Sequence, residues 1–194
     1  MKRKIHKYNE KVKKDNRVAH LNKDTIWIIQ IILMAFILSL ALSFASDTII
    51  PNVPLFFSVL ILVFFILLGI VFDMVGVSVT VADKKVFNSM AAKKVKGSKT
   101  ALLLIKNNSK VSSFCNDVIG DICGVLSGAA GITIGVSIAS STSINLIIIN
   151  LVLTSLIASI TIGGKAIGKS FAINKANNIL YKFSNFIDIV TFKH

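Results

Sequence analysis

Three ionisable side chains interrupt or border long apolar stretches of this 194-residue sequence, namely Asp73, Asp121 and Lys165. A charge buried in a lipid bilayer costs roughly 2.5 kcal/mol or more, so such residues usually bind ions or pair with each other. We therefore expect Asp73, Asp121 and Lys165 to converge in one polar pocket, as a polar cluster or part of an ion pathway. The alternative is that Asp117 and Lys165 reach the membrane surface, which leaves Asp73 and Asp121 as the buried pair.

The elements that must position these residues are transmembrane helices. The sequence is 54% hydrophobic and 16% charged, with a mean hydropathy of +0.75, which excludes a soluble nucleic-acid-binding protein. Two cysteines and three histidines give little material for a zinc or redox enzyme, and no nucleophile and base cluster, so we expect no enzymatic activity. Four segments approach the ~20 apolar residues that cross a bilayer, and they cover residues 26–45, 55–82, 111–140 and 144–164.

The distribution of charge predicts how these spans are oriented. The net charge is +13, and all 22 Lys and Arg fall in residues 1–24, 83–110 and 164–194. Because Lys and Arg are retained on the cytoplasmic side, both termini and the 83–110 segment should face the cytoplasm of the inner (plasma) membrane. A cleaved signal peptide is the competing interpretation of the first span, but its apolar region would be only ~7–15 residues long.

The parts between the spans have recognisable patterns. Residues 1–24 form a basic arm without core-building periodicity, and residues 25–53 comprise the first span and its outer loop. Residues 83–110 predict an amphipathic hairpin broken at Gly97, with Ser98 as the N-cap of its second helix. Apolar residues at three- and four-residue steps predict a second interfacial helix over 166–192.

Glycines recur every four residues in the third span, at Gly120, Gly124 and Gly128. Small residues at this spacing let a neighbouring helix backbone approach closely. We expect Gly124 and Gly128 to pack tightly against another span or a second subunit, and Gly120 to support the polar pocket. Exposure of backbone carbonyls near an ion path is the alternative role.

Three short stretches resemble motifs of the CNNM/CorB/CorC family of magnesium transporters. The stretch FDMVGVSVTVAD, residues 72–83, stands where the family has a pattern like F-S-x-S-E-T-A-L-T-S-A-D, and it contains Ser78 as a further supporting oxygen. VIGD, residues 118–121, stands for I-x-x-G-N, and GKAIGKSFA, residues 164–172, for G-E-I-I-P-K-S-L-A. The resemblance covers residues 54–192 and rests on order and spacing.

The resemblance implies a CNNM-like transmembrane domain over residues 54–194, with three spans, a juxtamembrane helix pair and a belt-like amphipathic helix. The family's CBS domains have no counterpart in these 194 residues, and a span precedes the shared part. In the family, oxygens of a serine, an asparagine and a glutamate hold Mg²⁺. By position Asp73, Asp121 and Lys165 replace them, so the resemblance makes Asp73 and Asp121 candidate metal ligands.

These replacements matter because Mg²⁺ requires oxygen ligands and an ammonium has no lone pair to give. The sequence thus predicts an all-α polytopic membrane protein with four transmembrane helices and juxtamembrane amphipathic helices. Its expected function is Mg²⁺-like divalent-cation transport or a derivative of it, with Mg²⁺ or no cofactor. The alternatives are a non-transporting scaffold or regulatory subunit with a structural Asp/Lys cluster, and a small pore-forming or membrane-stress protein. Lipids, a second copy in a homodimer and an unidentified membrane or cytoplasmic protein are the expected partners, and nucleic acid is not.

Overall fold

The computed structural model describes residues 25–45, 48 and 54–191, all of them helical or in short connections. The predicted arm 1–24 and most of the loop at 46–53 lie outside the described residues. The chain divides after Leu40 into two compact units. The first holds most of helix α1, Thr25–Ala45.

The second unit contains seven α-helices and one π-helical turn within the described residues. Their bounds are α2 Leu55–Val81, α3 Lys84–Ala92, α4 Ser98–Lys106, α5 Asn108–Ser113, the π-helical turn Phe114–Ile119, α6 Gly120–Ser141, α7 Leu146–Asn174 and α8 Ala176–Val190. α5, the turn and α6 form one continuous helix, Asn108–Ser141.

Four helices are long and apolar enough to cross a membrane: Thr25–Ala45, Leu55–Val81, Asn108–Ser141 and Leu146–Asn174. This confirms the predicted all-α class with four candidate spans. The last three pack on one another pairwise. Many of their large apolar side chains remain exposed, as expected for helices whose outer faces meet lipid.

The fourth span, Leu146–Asn174, continues ten residues beyond its predicted end at residue 164. The following amphipathic helix, Ala176–Val190, is therefore shorter than the predicted 166–192. The break falls at Lys175. The helix continues through Gly164 and Gly168 because both contact α2: a Cβ on Gly168 would lie 2.9 Å from Met74 Cγ. Close packing therefore explains why glycines occur at these two positions of the longer helix.

One end of this unit has its own compact core. This end contains the last residues of α2, which finishes at Val81, together with α3, α4 and α8. We call it the hairpin end. The members of its core are fully or almost fully buried: Val75, Val79, Phe87, Ala101, Cys115 and Leu180. The rings of Phe72 and Phe183 also meet edge to face, 6.4 Å apart, and join α2 to α8.

The predicted 83–110 hairpin is present as α3 and α4. Asp83 is the N-cap of α3, and its carboxylate accepts a hydrogen bond of 2.8 Å from the Lys85 amide. The N-cap of α4 is Gly97 rather than the predicted Ser98. Gly97 has a left-handed φ of +79°, and a Cβ there would lie 3.0 Å from the Asn185 backbone nitrogen of α8. Glycine is thus required both by the turn and by the approach of α8.

Candidate intramembrane ion-pair site

Asp73 is the buried charge of the second unit's described part. It lies on α2 and is 3% exposed. Its Oδ2 atom accepts no hydrogen bond. The nearest cation is Lys169 on α7, whose Nζ lies 3.8 Å from that oxygen and whose side chain is 52% exposed. A deeply buried carboxylate is therefore paired with a half-exposed ammonium, at a distance near the upper limit for an ion pair.

The α2–α7 contact positions this pair. Gly164 and Gly168 of α7 lie against Ile70 and Met74 of α2, where a side chain would clash. Because Lys169 follows Gly168 directly and Asp73 precedes Met74, the two charges stand beside the closest approach of the two helices. Glycine at this crossing thus allows the ammonium to reach the carboxylate.

Asn116 supplies a second unsatisfied oxygen near Asp73. Its side chain leaves the π-helical turn and lies directly against Gly76 of α2, where a Cβ would overlap it. Its Oδ1 atom is buried and accepts no hydrogen bond, while its Nδ2 donates to the Ser112 hydroxyl at 3.4 Å. Asp73 and Gly76 are three residues apart on α2, about 5–6 Å between Cβ positions. The carboxylate and the amide oxygen therefore belong to one region of the α2 surface.

Lys165 is placed differently from the expectation. It is half-buried and directed toward α6, with its Nζ 3.5 Å from the position a Cβ would take on Gly120. Among the described residues, the ion pair of Asp73 is with Lys169, four residues along the same helix. Within the described residues Lys165 therefore forms no ion pair with Asp73 or Asp121, and its ammonium lies next to Gly120 of α6.

Asp121 does not join Asp73. Both Asp121 and Asp117 are exposed, whereas the neighbouring Ile122 and Cys123 are buried. In the part of the chain that the structure describes, no three His, Cys, Asp or Glu side chains come together as a metal site. The expected convergence of Asp73 and Asp121 on one metal ion therefore has no geometric support, because Asp121 lies on the outward side of α6.

The remaining supporting residues have structural roles. Ser78 is fully buried, but its hydroxyl donates to the Met74 carbonyl at 2.8 Å. Gly120 is buried, and its carbonyl oxygen would lie 3.7 Å from a Cβ on Gly69. The Ser78 hydroxyl is therefore satisfied within α2, and Gly120 lies where α6 approaches α2.

Within the single chain the third span packs closely at Gly131 rather than at Gly124 or Gly128, and the predicted packing of Gly124 and Gly128 against a second subunit stays a prediction. A Cβ on Gly124 or Gly128 would meet no other atom within 4 Å, whereas a Cβ on Gly131 would overlap Ile157 of α7. A step of four residues advances ~40° around a helix, so Gly124 and Gly128 rotate progressively away from Gly120. Gly131 lies eleven residues after Gly120, just over three whole turns, and so returns to the packed side.

Sequence reasoning missed Lys169 and Asn116. The signal for Lys169 was its position four residues after Lys165, about one turn further along α7 and ~40° around it. Asn116 carried no such signal, because its position depends on the π-helical turn.

Comparison of the chain with protein-family models, curated proteins and solved structures finds no match. The site's function must therefore be argued from its own geometry.

Proposed function

We propose that this protein transports a cation across the membrane, and that Asp73 is the carboxylate to which the cation binds. The observation that carries the proposal is the buried Asp73 Oδ2, which accepts no hydrogen bond and faces a half-exposed ammonium. A carboxylate at this depth is costly to maintain, and such residues commonly mark ion pathways.

In this proposal Lys169 is a tethered competitor of the transported ion. Its ammonium neutralises Asp73 while the site is empty, and it swings toward its exposed side when a cation enters. The Asn116 Oδ1 then offers the ion a second, uncharged oxygen. Transport thus exchanges one positive charge for another next to the same carboxylate.

The number of oxygens favours a singly charged ion or a proton. Mg²⁺ demands octahedral oxygen coordination and gives up water reluctantly, and a nearby ammonium opposes a double charge. We therefore propose a derivative of the divalent-cation transporter implied by the family resemblance, in which the ion selectivity has changed.

The test is ion flux into proteoliposomes, measured separately for H⁺, Na⁺, K⁺ and Mg²⁺. Wild-type protein should pass a monovalent ion, and Asp73→Asn should lower that flux about tenfold or more, since the amide keeps the shape and removes the charge. Lys169→Gln should lower the ion concentration needed for half-maximal flux, because it removes the competitor. Asp117→Asn, an exposed carboxylate of the third span, is the matched control and should leave flux unchanged. Undiminished flux in Asp73→Asn, or preferred Mg²⁺ flux in the wild type, would contradict the proposal.

The same ion pair favours a second candidate, a non-transporting membrane scaffold or regulatory subunit in which Asp73 and Lys169 only fix α2 against α7. This candidate predicts that no ion passes through the wild-type protein. It also predicts that Asp73→Asn and Lys169→Gln each lower the melting temperature, since breaking a buried pair leaves one charge uncompensated.

We further propose that both termini and the 83–110 hairpin face the cytoplasm of the inner membrane, on the basis of the Lys and Arg distribution. A membrane-impermeant thiol reagent applied to whole cells should then label a cysteine placed at Ser141. The same reagent should leave a cysteine placed at Lys99 unlabelled. Labelling at Lys99 from outside would reverse the arrangement.

A further inference from the structure

The loop between α3 and α4 borders a cavity of about 700 Å³. Three of its lining residues are lysines, Lys94, Lys96 and Lys99, and all three are exposed. Within residues 54–191, none of them forms an ion pair. The cavity therefore concentrates positive charge without a protein counter-ion.

The one carboxylate lining this cavity, Asp188 of α8, is used to hold the loop. It accepts a hydrogen bond from the Gly97 amide at 3.0 Å and another from the Thr100 hydroxyl. Both of its oxygens are thereby engaged on the loop backbone and on the start of α4. Asp188 thus fixes the shape of the cavity and leaves the three ammonium groups free to attract an anion.

The loop backbone is held in an unusual conformation at the same place. Lys94 has a left-handed φ of +54°, and Gly97 has a φ of +79°. Lys94 lies just after the end of α3, and the Lys94 and Val95 amides donate to the Ala91 and Met90 carbonyls at 3.0 Å each, the pattern of a helix end that accommodates a left-handed residue. The backbone conformation at Lys94 is therefore set by the end of α3.

Part of the cavity wall is apolar, in contrast to the lysines. Leu103 of α4 and Ile189 of α8 line it, and they are 53% and 66% exposed. A free phosphate gains nothing from these two side chains, whereas a lipid could place its headgroup on the lysines and the start of its acyl chains along them. Clusters of basic residues next to a membrane span attract anionic lipids in this way.

We infer that this cavity binds the phosphate-bearing headgroup of an anionic phospholipid, held by Lys94, Lys96 and Lys99. The inference does not depend on the proposed transport function, because the cavity lies on α3, α4 and α8 and not on the residues around Asp73. The lipid would tie the hairpin end to the membrane surface.

The test compares lipid retention by purified protein in nanodiscs or detergent, using phosphatidylglycerol as the probe and phosphatidylcholine as the neutral reference. Native mass spectrometry counts the lipids that stay bound. The wild type should retain phosphatidylglycerol in preference to phosphatidylcholine. The triple variant Lys94→Gln, Lys96→Gln, Lys99→Gln should bind phosphatidylglycerol roughly a hundredfold more weakly, since each charge near a headgroup contributes about a fivefold factor.

The matched control is Lys84→Gln, Lys85→Gln, Lys106→Gln, which removes the same charge from exposed positions of α3 and α4 that do not line the cavity. It should retain phosphatidylglycerol like the wild type. Equal losses in the two triple variants would overturn the inference, since binding would then follow net charge alone. No preferential retention in the wild type would overturn it as well.

A competition arm separates a lipid from a soluble ligand. Inorganic phosphate at millimolar concentration should not displace phosphatidylglycerol, because it cannot use Leu103 and Ile189. Displacement by phosphate would overturn the assignment to a lipid. Unchanged melting temperatures of both triple variants in phosphatidylcholine would show that they fold.

Discussion

At the start of α2, Phe56 and Phe64 are 72% and 57% exposed, whereas near its end Val79 is fully buried together with Phe87 of α3. The same helix therefore meets lipid at one end and a protein core at the other. We call the first of these ends, where α2 begins at Leu55 and α6 finishes at Ser141, the far end. The hairpin end adds α3, α4 and α8 around α2, whereas at the far end α2, α6 and α7 pack on one another.

The two ends of α2 differ because burial of apolar side chains has a different effect within lipid than next to water. Within lipid, burying an apolar side chain gains little over leaving it in the hydrocarbon, so spans associate through small residues and close backbone contact. Next to water, burial of apolar area stabilises a structure by ~25 cal/mol per Å². The far end accordingly relies on glycine contacts such as Gly131 with Ile157, and the hairpin end on large buried side chains.

The largest expected effect is on the hairpin end. Phe87→Ala removes a fully buried ring and should lower the free energy of unfolding by about 3–5 kcal/mol. Phe56→Ala, which trims an exposed ring at the far end, should change it by less than about 0.5 kcal/mol. Thermal or denaturant unfolding in detergent measures both. Equal effects of the two substitutions would show that the two ends are stabilised by the same means.

A smaller effect should distinguish glycines of the third span. Gly131→Leu forces a side chain into Ile157 and should destabilise the folded monomer by about 1–3 kcal/mol. A Cβ on Gly124 would meet no other packed atom within 4 Å, so Gly124→Leu should leave the monomer's melting temperature unchanged. If a homodimer forms through this open side of α6, Gly124→Leu should dissociate it, which size-exclusion chromatography with light scattering detects. A melting temperature lowered equally by both substitutions would contradict the placement of Gly124.

The sequence predicted most of the fold because long apolar runs and charge distribution depend little on tertiary contacts. The second span, residues 55–82, agrees with the structure to within one residue. The predicted fourth span ends at residue 164 because the uncharged run stops there, before Lys165. The contact of Gly164 and Gly168 with Ile70 and Met74, which accompanies the longer helix, depends on the fold. Ser98 is a residue type that commonly forms an N-cap, but α4 begins one residue earlier, with the left-handed Gly97 as its N-cap.

Less of the site could be predicted. Asp73 stands out in sequence as a lone carboxylate in an apolar run, and it is buried as expected. The identity of its ionic partner, Lys165 or Lys169, depends on how α7 is rotated and placed against α2. The helical repeat of the sequence alone does not determine this. The outward position of Asp121 depends in turn on how the Asn108–Ser141 helix is rotated after its irregular turn.

Because Phe114–Ile119 forms a π-helical turn, the packing of the third span depends on the number of residues in this segment. A π-helical turn accommodates one more residue than an α-helical turn, and such turns arise as local insertions in otherwise regular helices. Deleting a single residue between 114 and 119 would restore a regular helix and rotate one side of it by ~100° relative to the other. Either Asn116 would then leave Gly76 or the buried face of α6 would turn away from α2 and α7. The number of residues here, as much as their identity, therefore keeps the Asn116 amide against Gly76, about one turn of α2 from the buried Asp73.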